Sequence, residues 1–314
     1  MKKILALTLA LVLALSLCAC GGGNADTTTT DNGDAADTAT VEIPPVEDLT
    51  GTDTSTIPGV EDGVLTVGME CTYAPYNWTQ TDDSNGAVPI VNNPGSYANG
   101  YDVMIAQRIC DTYGWKLEVQ AIEWDGLIPA LNAGTIDAVI AGQSMTAGRM
   151  EQVDMAGPYF YASSVCVAKK DSEQAKAKGI SELTGTCTAQ SGTIWYTDCL
   201  PQVEGAQIMA QSESAPAMIM AVESGTVDFI CTDMPTAMGA AAQDDNLVIL
   251  NFSGTPGDFQ FASEAERAEN VNIGISVRKG NTVLKDAIDK VLSQMTDDDF
   301  NHLIEESILI QPEV

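Results

Sequence analysis

Ala130-Leu131-Asn132-Ala133-Gly134-Thr135-Ile136-Asp137 and Ala221-Val222-Glu223-Ser224-Gly225-Thr226-Val227-Asp228 carry one pattern twice. In each, a helix closes on Gly-Thr, the glycine supplying the left-handed corner that ends helices, and an apolar strand follows. Eight residues past the two glycines stand Gly142 and Asp233. A helix-turn-strand unit is common enough to recur by chance. Two similar α/β lobes facing each other across a cleft also explain it, and ligands of open α/β sheets bind beyond the carboxyl ends of strands.

The chain around the repeat alternates strand and helix patterns. Val64 to Met69 is an apolar strand. Tyr101 to Tyr113 is a helix with Ile105 and Ile109 on one face, stopped by Gly114. Leu117, Val119 and Ala121 alternate as a strand. Asp125 is expected to cap a helix from Gly126 to Ala133, and Ile136 to Ala141 to be a buried strand. This alternation predicts mostly parallel sheets flanked by helices, hence an α/β fold.

Composition narrows the chemistry. The 314 residues hold 14 basic and 44 acidic side chains, a formal charge of −30. Nucleic acid is excluded as a partner, since phosphate binding needs basic patches. His302 is the single histidine, so sites needing two imidazoles are excluded. No Walker-type glycine loop or Cys-x-x-Cys spacing occurs, and neither a metal nor a cofactor is expected.

The N-terminus reads as an export signal: Lys2 and Lys3, an apolar run from Ile4 to Leu17, then Cys18-Ala19-Cys20. That run is too short to favour a spanning helix of about 20 residues. Leu17-Cys18-Ala19-Cys20 resembles a bacterial lipobox, which implies a signal over 1–19 and lipidation of Cys20. An ordinary secretory signal cleaved nearby is the alternative. Loss of Lys2 and Lys3 takes the charge from −30 to −32. Residues 20–58, without aromatic or basic side chains, are expected to form a disordered acidic tether. Six further cysteines allow 15 pairings, among which sequence does not choose, Cys187 with Cys199 being the least implausible.

Three polar groups suggest a zwitterionic ligand. Ser144-Met145-Thr146-Ala147-Gly148-Arg149 leads from a strand into a helix, where free N–H groups and Arg149 suit a carboxylate. Alone, Arg149 reads rather as a solvated surface charge. Gln190-Ser191-Gly192-Thr193 follows the strand Thr186 to Ala189 and opens another helix, or is a simple turn. Asp233, at a strand end, suits an ammonium group or caps the helix after it. Tyr73 and Trp124 are placed to sandwich a ligand side chain, whereas Tyr76 reads as lobe packing.

In order along residues 64–311, these stretches resemble the solute-binding proteins of polar amino-acid ABC transporters. The match includes Tyr73-Ala74-Pro75-Tyr76, Gly100-Tyr101-Asp102-Val103, Trp124-Asp125-Gly126-Leu127, Gly157-Pro158-Tyr159 and Gln190-Ser191-Gly192-Thr193. The resemblance implies a two-lobed, type II periplasmic-binding-protein-like fold with a two-strand hinge. Lobe 1 would take 59–162 plus 272–314, and lobe 2 would take 163–271. It implies that Arg149, Ser144 and Thr193, with Gly192, hold the ligand carboxylate, and that Asp233 and the Gly142 carbonyl take its ammonium group. Tyr73 and Trp124 would bracket the side chain, and Glu70 and Gln190 would tune its choice, Glu70 favouring a polar or cationic one. The implied partners are an amino acid, the membrane through the lipid, and permease and ATPase subunits, with the protein acting outside the cytoplasm as a monomer. No catalytic residue is implied. The rivals on the same fold are a cyclohexadienyl dehydratase, with Glu70 as its acid, and a solute sensor. Residues 79–99 depart from the family as a long loop, expected to line the cleft.

Overall fold

The computed structural model describes residues 46–312. The signal segment, Cys20 and residues 21–45 of the expected tether lie outside the described residues. Two five-stranded sheets organise the rest. The first runs in the order Lys116–Ala121, Val64–Met69, Ala138–Val139, Asn272–Arg278, Val153–Tyr161. The second runs Ala206–Ile208, Gly185–Thr188, Phe229–Asp233, Ser164–Lys169, Leu247–Leu250. In each, the first three strands are parallel and the last two join antiparallel. The molecule is a two-lobed α/β protein in which both sheets share one plan, with helices packed against them.

The repeated octapeptides occupy equivalent places. Helix Leu127–Ala133 feeds the central strand of the first sheet, and helix Ala215–Glu223 feeds that of the second. Their closing aspartates do the same work. Asp137 Oδ2 accepts the Thr66 N–H at 3.1 Å, and Asp228 Oδ2 accepts the Thr186 N–H at 2.7 Å. Each carboxylate thereby ties its loop to the neighbouring parallel strand.

The chain crosses between sheets twice, from Val153–Tyr161 into Ser164–Lys169 and from helix Glu264–Val271 into Asn272–Arg278. Tyr161 and Asn272 are paired opposite each other at this crossing. The lobes touch: Trp124 Nε1 lies 3.1 Å from where a Cβ on Gly192 would sit, and Pro75 Cδ lies 3.0 Å from the same point on Gly239. The C-terminal helix Asp297–Ile310 helps hold them, since Gln311 Nε2 donates to the Gly239 carbonyl at 3.3 Å and Gln243 Nε2 to that of Pro312 at 3.1 Å.

Several expectations change. Asp125 caps nothing: it lies exposed in the short 3₁₀ turn Trp124–Gly126, and Gly126 precedes the helix. The strand expected over 136–141 is paired only at Ala138–Val139, although Ile136, Ile140 and Ala141 are buried. Residues 79–99 belong to a small antiparallel sheet in which Tyr97–Asn99 lies between Asn77–Gln80 and Val88–Pro89. It covers the edge strand Lys116–Ala121, with the Val91 N–H on the Val119 carbonyl and Asn92 paired with the Ala121 backbone. An uncovered edge would expose unpaired N–H and C=O groups. None of these residues lines the cleft cavities described below. Residues 49–58 are seated on the fold rather than free: Leu49 and Ile57 are buried, and the Leu49 N–H meets the Thr112 carbonyl at 2.8 Å. Cys187 and Cys199 do not pair, and all six cysteines among the described residues are free, buried thiols.

Candidate functional site

Four residues singled out in the sequence stand at or just past the carboxyl ends of parallel strands. Glu70 follows Val64–Met69 and Gly142 lies past Ala138–Val139 in one lobe; Gln190 follows Gly185–Thr188 and Asp233 ends Phe229–Asp233 in the other. Parallel strands end together, so their loops converge on one edge, and the two edges face each other.

Between them lie two cavities of about 430 and 390 Å³. Trp124, Thr146, Arg149 and Gly192 line both. The second adds Gly142 and Ser144 from one lobe and Thr193 and Trp195 from the other, with Asp198 and Glu266 at its exposed rim. Such volumes suit small ligands. Six of the ten candidate ligand residues therefore share one wall: Trp124, Gly142, Ser144, Arg149, Gly192 and Thr193.

Arg149 sits in the short helix Ala147–Gln152, whose N-cap Thr146 accepts the Arg149 N–H at 3.2 Å. Its guanidinium is half-buried, donates to the Ser144 carbonyl, and lies 5.6 Å from the centre of the Trp124 ring. It has no carboxylate within ion-pair reach among the described residues. Burial lowers its pKa to about 10, which leaves it charged at neutral pH. A planar cation with an aromatic wall and no counter-ion is built to receive an anion.

Glu70 and Gln190 line neither cavity. Both are buried, at 7% and 1% exposure. Burial first, then the charges of Glu123 and Asp102, push the Glu70 carboxyl up to about 7. Glu70 Oε2 and Gln190 Nε2 nevertheless have no hydrogen-bond partner. Orphaned buried polar atoms are costly and call for a partner.

Tyr73 and Asp233, the expected bracket and ammonium acceptor, meet each other across the lobes. Tyr73 is 1% exposed and lines neither cavity. Its hydroxyl donates across the lobes to Asp233 Oδ2 at 3.0 Å, and the Tyr76 hydroxyl reaches Oδ1 at 3.3 Å. Asp233 also caps the helix Met234–Gln243, accepting the Thr236 N–H at 2.8 Å. Tyr76, read from sequence as packing, thus has a polar task as well. Burial raises the Asp233 pKa above the carboxylate norm.

The residues that sequence reasoning missed lie behind this wall. Asp102 is fully buried, burial pushing its carboxyl up to about 7, and it accepts bonds from Tyr159 and Asn77. A charged residue in the first turn of a helix with an otherwise apolar face was the available signal. No group of His, Cys, Asp or Glu among the described residues is arranged to hold a metal ion.

The paired sheets and the interlobe cleft define a solute-binding protein, and comparison narrows the class. Residues 65–308 match the model of the bacterial extracellular solute-binding proteins, family 3, and the chain belongs to that family. It is similar to the L-cystine-binding protein TcyA of Bacillus subtilis, 28% identical over 240 residues, covering 75% of this chain and 77% of that protein. It is also similar to the arginine-binding periplasmic protein of Mannheimia haemolytica, 28% identical, covering 71% and 82%. Among solved structures it resembles the ancestral amino acid-binding protein AncCDT-1, a precursor of cyclohexadienyl dehydratase, with a TM-score of 0.62 and 27% identity over 79% of this chain and 97% of that one. Both of these relatives are amino-acid-binding proteins by name, the family is described as extracellular, and no helix among the described residues is long and apolar enough to cross a membrane.

Proposed function

We propose that this chain is a lipid-anchored receptor that closes its lobes around a free amino acid with a cationic or polar side chain and delivers it to a membrane permease. The observation that carries the reading is a pair of unanswered groups: the Arg149 guanidinium, held by the Ser144 carbonyl and the Trp124 ring with no carboxylate, and Glu70 Oε2 and Gln190 Nε2, buried without a partner. Arg149, Ser144 and the Gly192-Thr193 turn take the α-carboxylate. Gly142 and Asp233 take the α-ammonium group, the hydroxyls of Tyr73 and Tyr76 holding that carboxylate until the ligand arrives. Trp124 covers the side chain, with Tyr73 behind. Glu70 and Gln190 read the end of the side chain, and the acidic rim of Asp198 and Glu266 draws cations inward. Bridging the lobes, the ligand stabilises the closed state. Cys20 supplies the lipid and residues 21–45 the reach from the membrane. The lobe limits at 162/163 and 271/272 fit the two sheets, and the receptor works as a monomer.

The test is thermal unfolding of the protein, refolded to strip carried-over ligand, against the proteinogenic amino acids and L-cystine. A ligand at 100 times its Kd adds about 2.7 kcal/mol, a clear rise in Tm. The expected responders are L-arginine, L-lysine or L-histidine, and Glu70→Gln selectively weakens them. No response to any amino acid overturns the reading. A second reading, dehydration of prephenate, draws on the AncCDT-1 likeness and on a Glu70 carboxyl held near neutrality. Incubation with prephenate decides it by the presence or absence of turnover.

A further inference from the structure

One buried carboxylate stands behind both halves of the lobe 1 wall. Asp102 Oδ1 accepts the Tyr159 hydroxyl at 2.7 Å, and Oδ2 accepts Asn77 Nδ2 at 2.7 Å. Tyr159 Oη in turn accepts the Gly142 N–H at 3.0 Å, and Asn77 Oδ1 accepts the Cys71 N–H at 2.7 Å. The chain of bonds therefore ends on the backbone of two neighbouring loops. One begins just past Glu70, and the other begins at Gly142. Both end points are left-handed, with φ of +57° at Cys71 and +63° at Gly142. For a non-glycine residue such as Cys71 that conformation persists only where its surroundings hold it.

These bonds do not serve the helix on which Asp102 sits. The N-cap is Gly100, whose N–H donates to Asn99 Oδ1 at 2.8 Å, and both Asp102 oxygens are directed at groups outside the helix. An ionised carboxylate is an acceptor only and meets both donors at once, whereas an amide in its place turns an N–H₂ toward one of them. Asparagine is therefore close in shape and wrong in hydrogen bonding.

We propose that Asp102 is a positioning residue for the ligand cleft, acting through Tyr159 and Asn77 to hold Gly142 and Cys71 so that the Gly142 carbonyl and the Glu70 side chain are aimed at the ligand. The effect on affinity rests on the amino-acid-binding reading; the effect on the two backbones does not.

The test uses the full chain and the variants Tyr159→Phe and Asp102→Asn. Amide signals of Gly142 and Cys71 are followed by ¹H–¹⁵N correlation spectra, and binding of L-arginine, L-histidine and L-cystine by calorimetry. Tyr159→Phe is expected to move the Gly142 amide, leave Cys71 in place, and weaken binding about tenfold, the worth of one hydrogen bond, at a Tm within a few degrees of wild type. Asp102→Asn is expected to move both amides and weaken binding further. A Gly142 amide that stays put in Tyr159→Phe, or wild-type affinity in that variant, overturns the proposal. If Asp102→Asn does not fold, Tyr159→Phe decides alone. If the wild type binds none of the three probes, the amino-acid reading falls and the amide shifts still decide the positioning role.

Discussion

The Arg149 guanidinium lies 5.6 Å from the centre of the Trp124 ring, and on the proposed reading a ligand carboxylate enters where that guanidinium already leans on a ring. Replacing Arg149 by alanine removes the counter-charge and leaves the ligand's carboxylate desolvated without a partner. The expected loss is roughly 2–5 kcal/mol of binding free energy, read by calorimetry with the best-bound amino acid. Equal affinity in wild type and Arg149→Ala would remove Arg149 from the site. At this scale the sequence was enough to group Ser144, Arg149, Gly192 and Thr193, which line one cavity, because each one's neighbours are its own loop. It did not show the hydrogen bond between Tyr73 and Asp233, which joins side chains 160 positions apart in different lobes. It was silent on Asp102, since a helix-starting aspartate looks solvated until the strands around it are in place.

Helix Tyr101–Tyr113 begins under tight constraint. Gly100 has φ of +121°, and a Cβ there would lie 2.5 Å from the Tyr76 carbonyl oxygen. The Tyr101 and Asp102 N–H groups donate to the carbonyls of Pro75 and Tyr76, so the helix entry is docked on the loop that carries the two interlobe tyrosines. Gly100→Ala is expected to cost roughly 2–3 kcal/mol, both from the backbone region and from the clash, and to lower the urea midpoint. An unchanged midpoint would mean that the loop moves aside freely. Helices and parallel strands were legible because Gly114 and Gly134 stop them and apolar spacing marks them. The small sheet over 72–99 was not, because strands of two to four residues are too short to show a period and are fixed by the edge they cover.

Across the molecule, buried acids leave a signature in stability. Glu70 and Asp102 are held near 7, and Asp233 and Asp137 are raised as well, burial being the first cause each time. In the unfolded chain such groups titrate near about 4. Between about pH 4 and 7 the folded form thus binds more protons than the unfolded one, and stability falls as pH rises through that window. Asp48, Asp82, Asp154 and Asp299, lowered by exposed hydrogen bonds, act in the opposite sense below it. Urea midpoints of the ligand-free protein should be higher at pH 5 than at pH 7.5, and Asp102→Asn should flatten the difference. A wild-type profile that rises over this range contradicts the account. Repulsion within a chain of charge −30 works in the same direction, so the variant isolates the buried share.

The pairing of Tyr161 with Asn272 has a consequence for how such a molecule is put together. Those residues stand side by side on adjacent antiparallel strands, where a hairpin turn of two residues is enough to link them. Everything from 163 to 271 departs from that point and comes back to it. The second sheet is a guest spliced into a single turn of its host, and the host's five strands close without it. Excising the guest and joining Tyr161 to Asn272 by Asn-Gly therefore asks little of the host backbone, and grafting a different guest at the same turn asks no more.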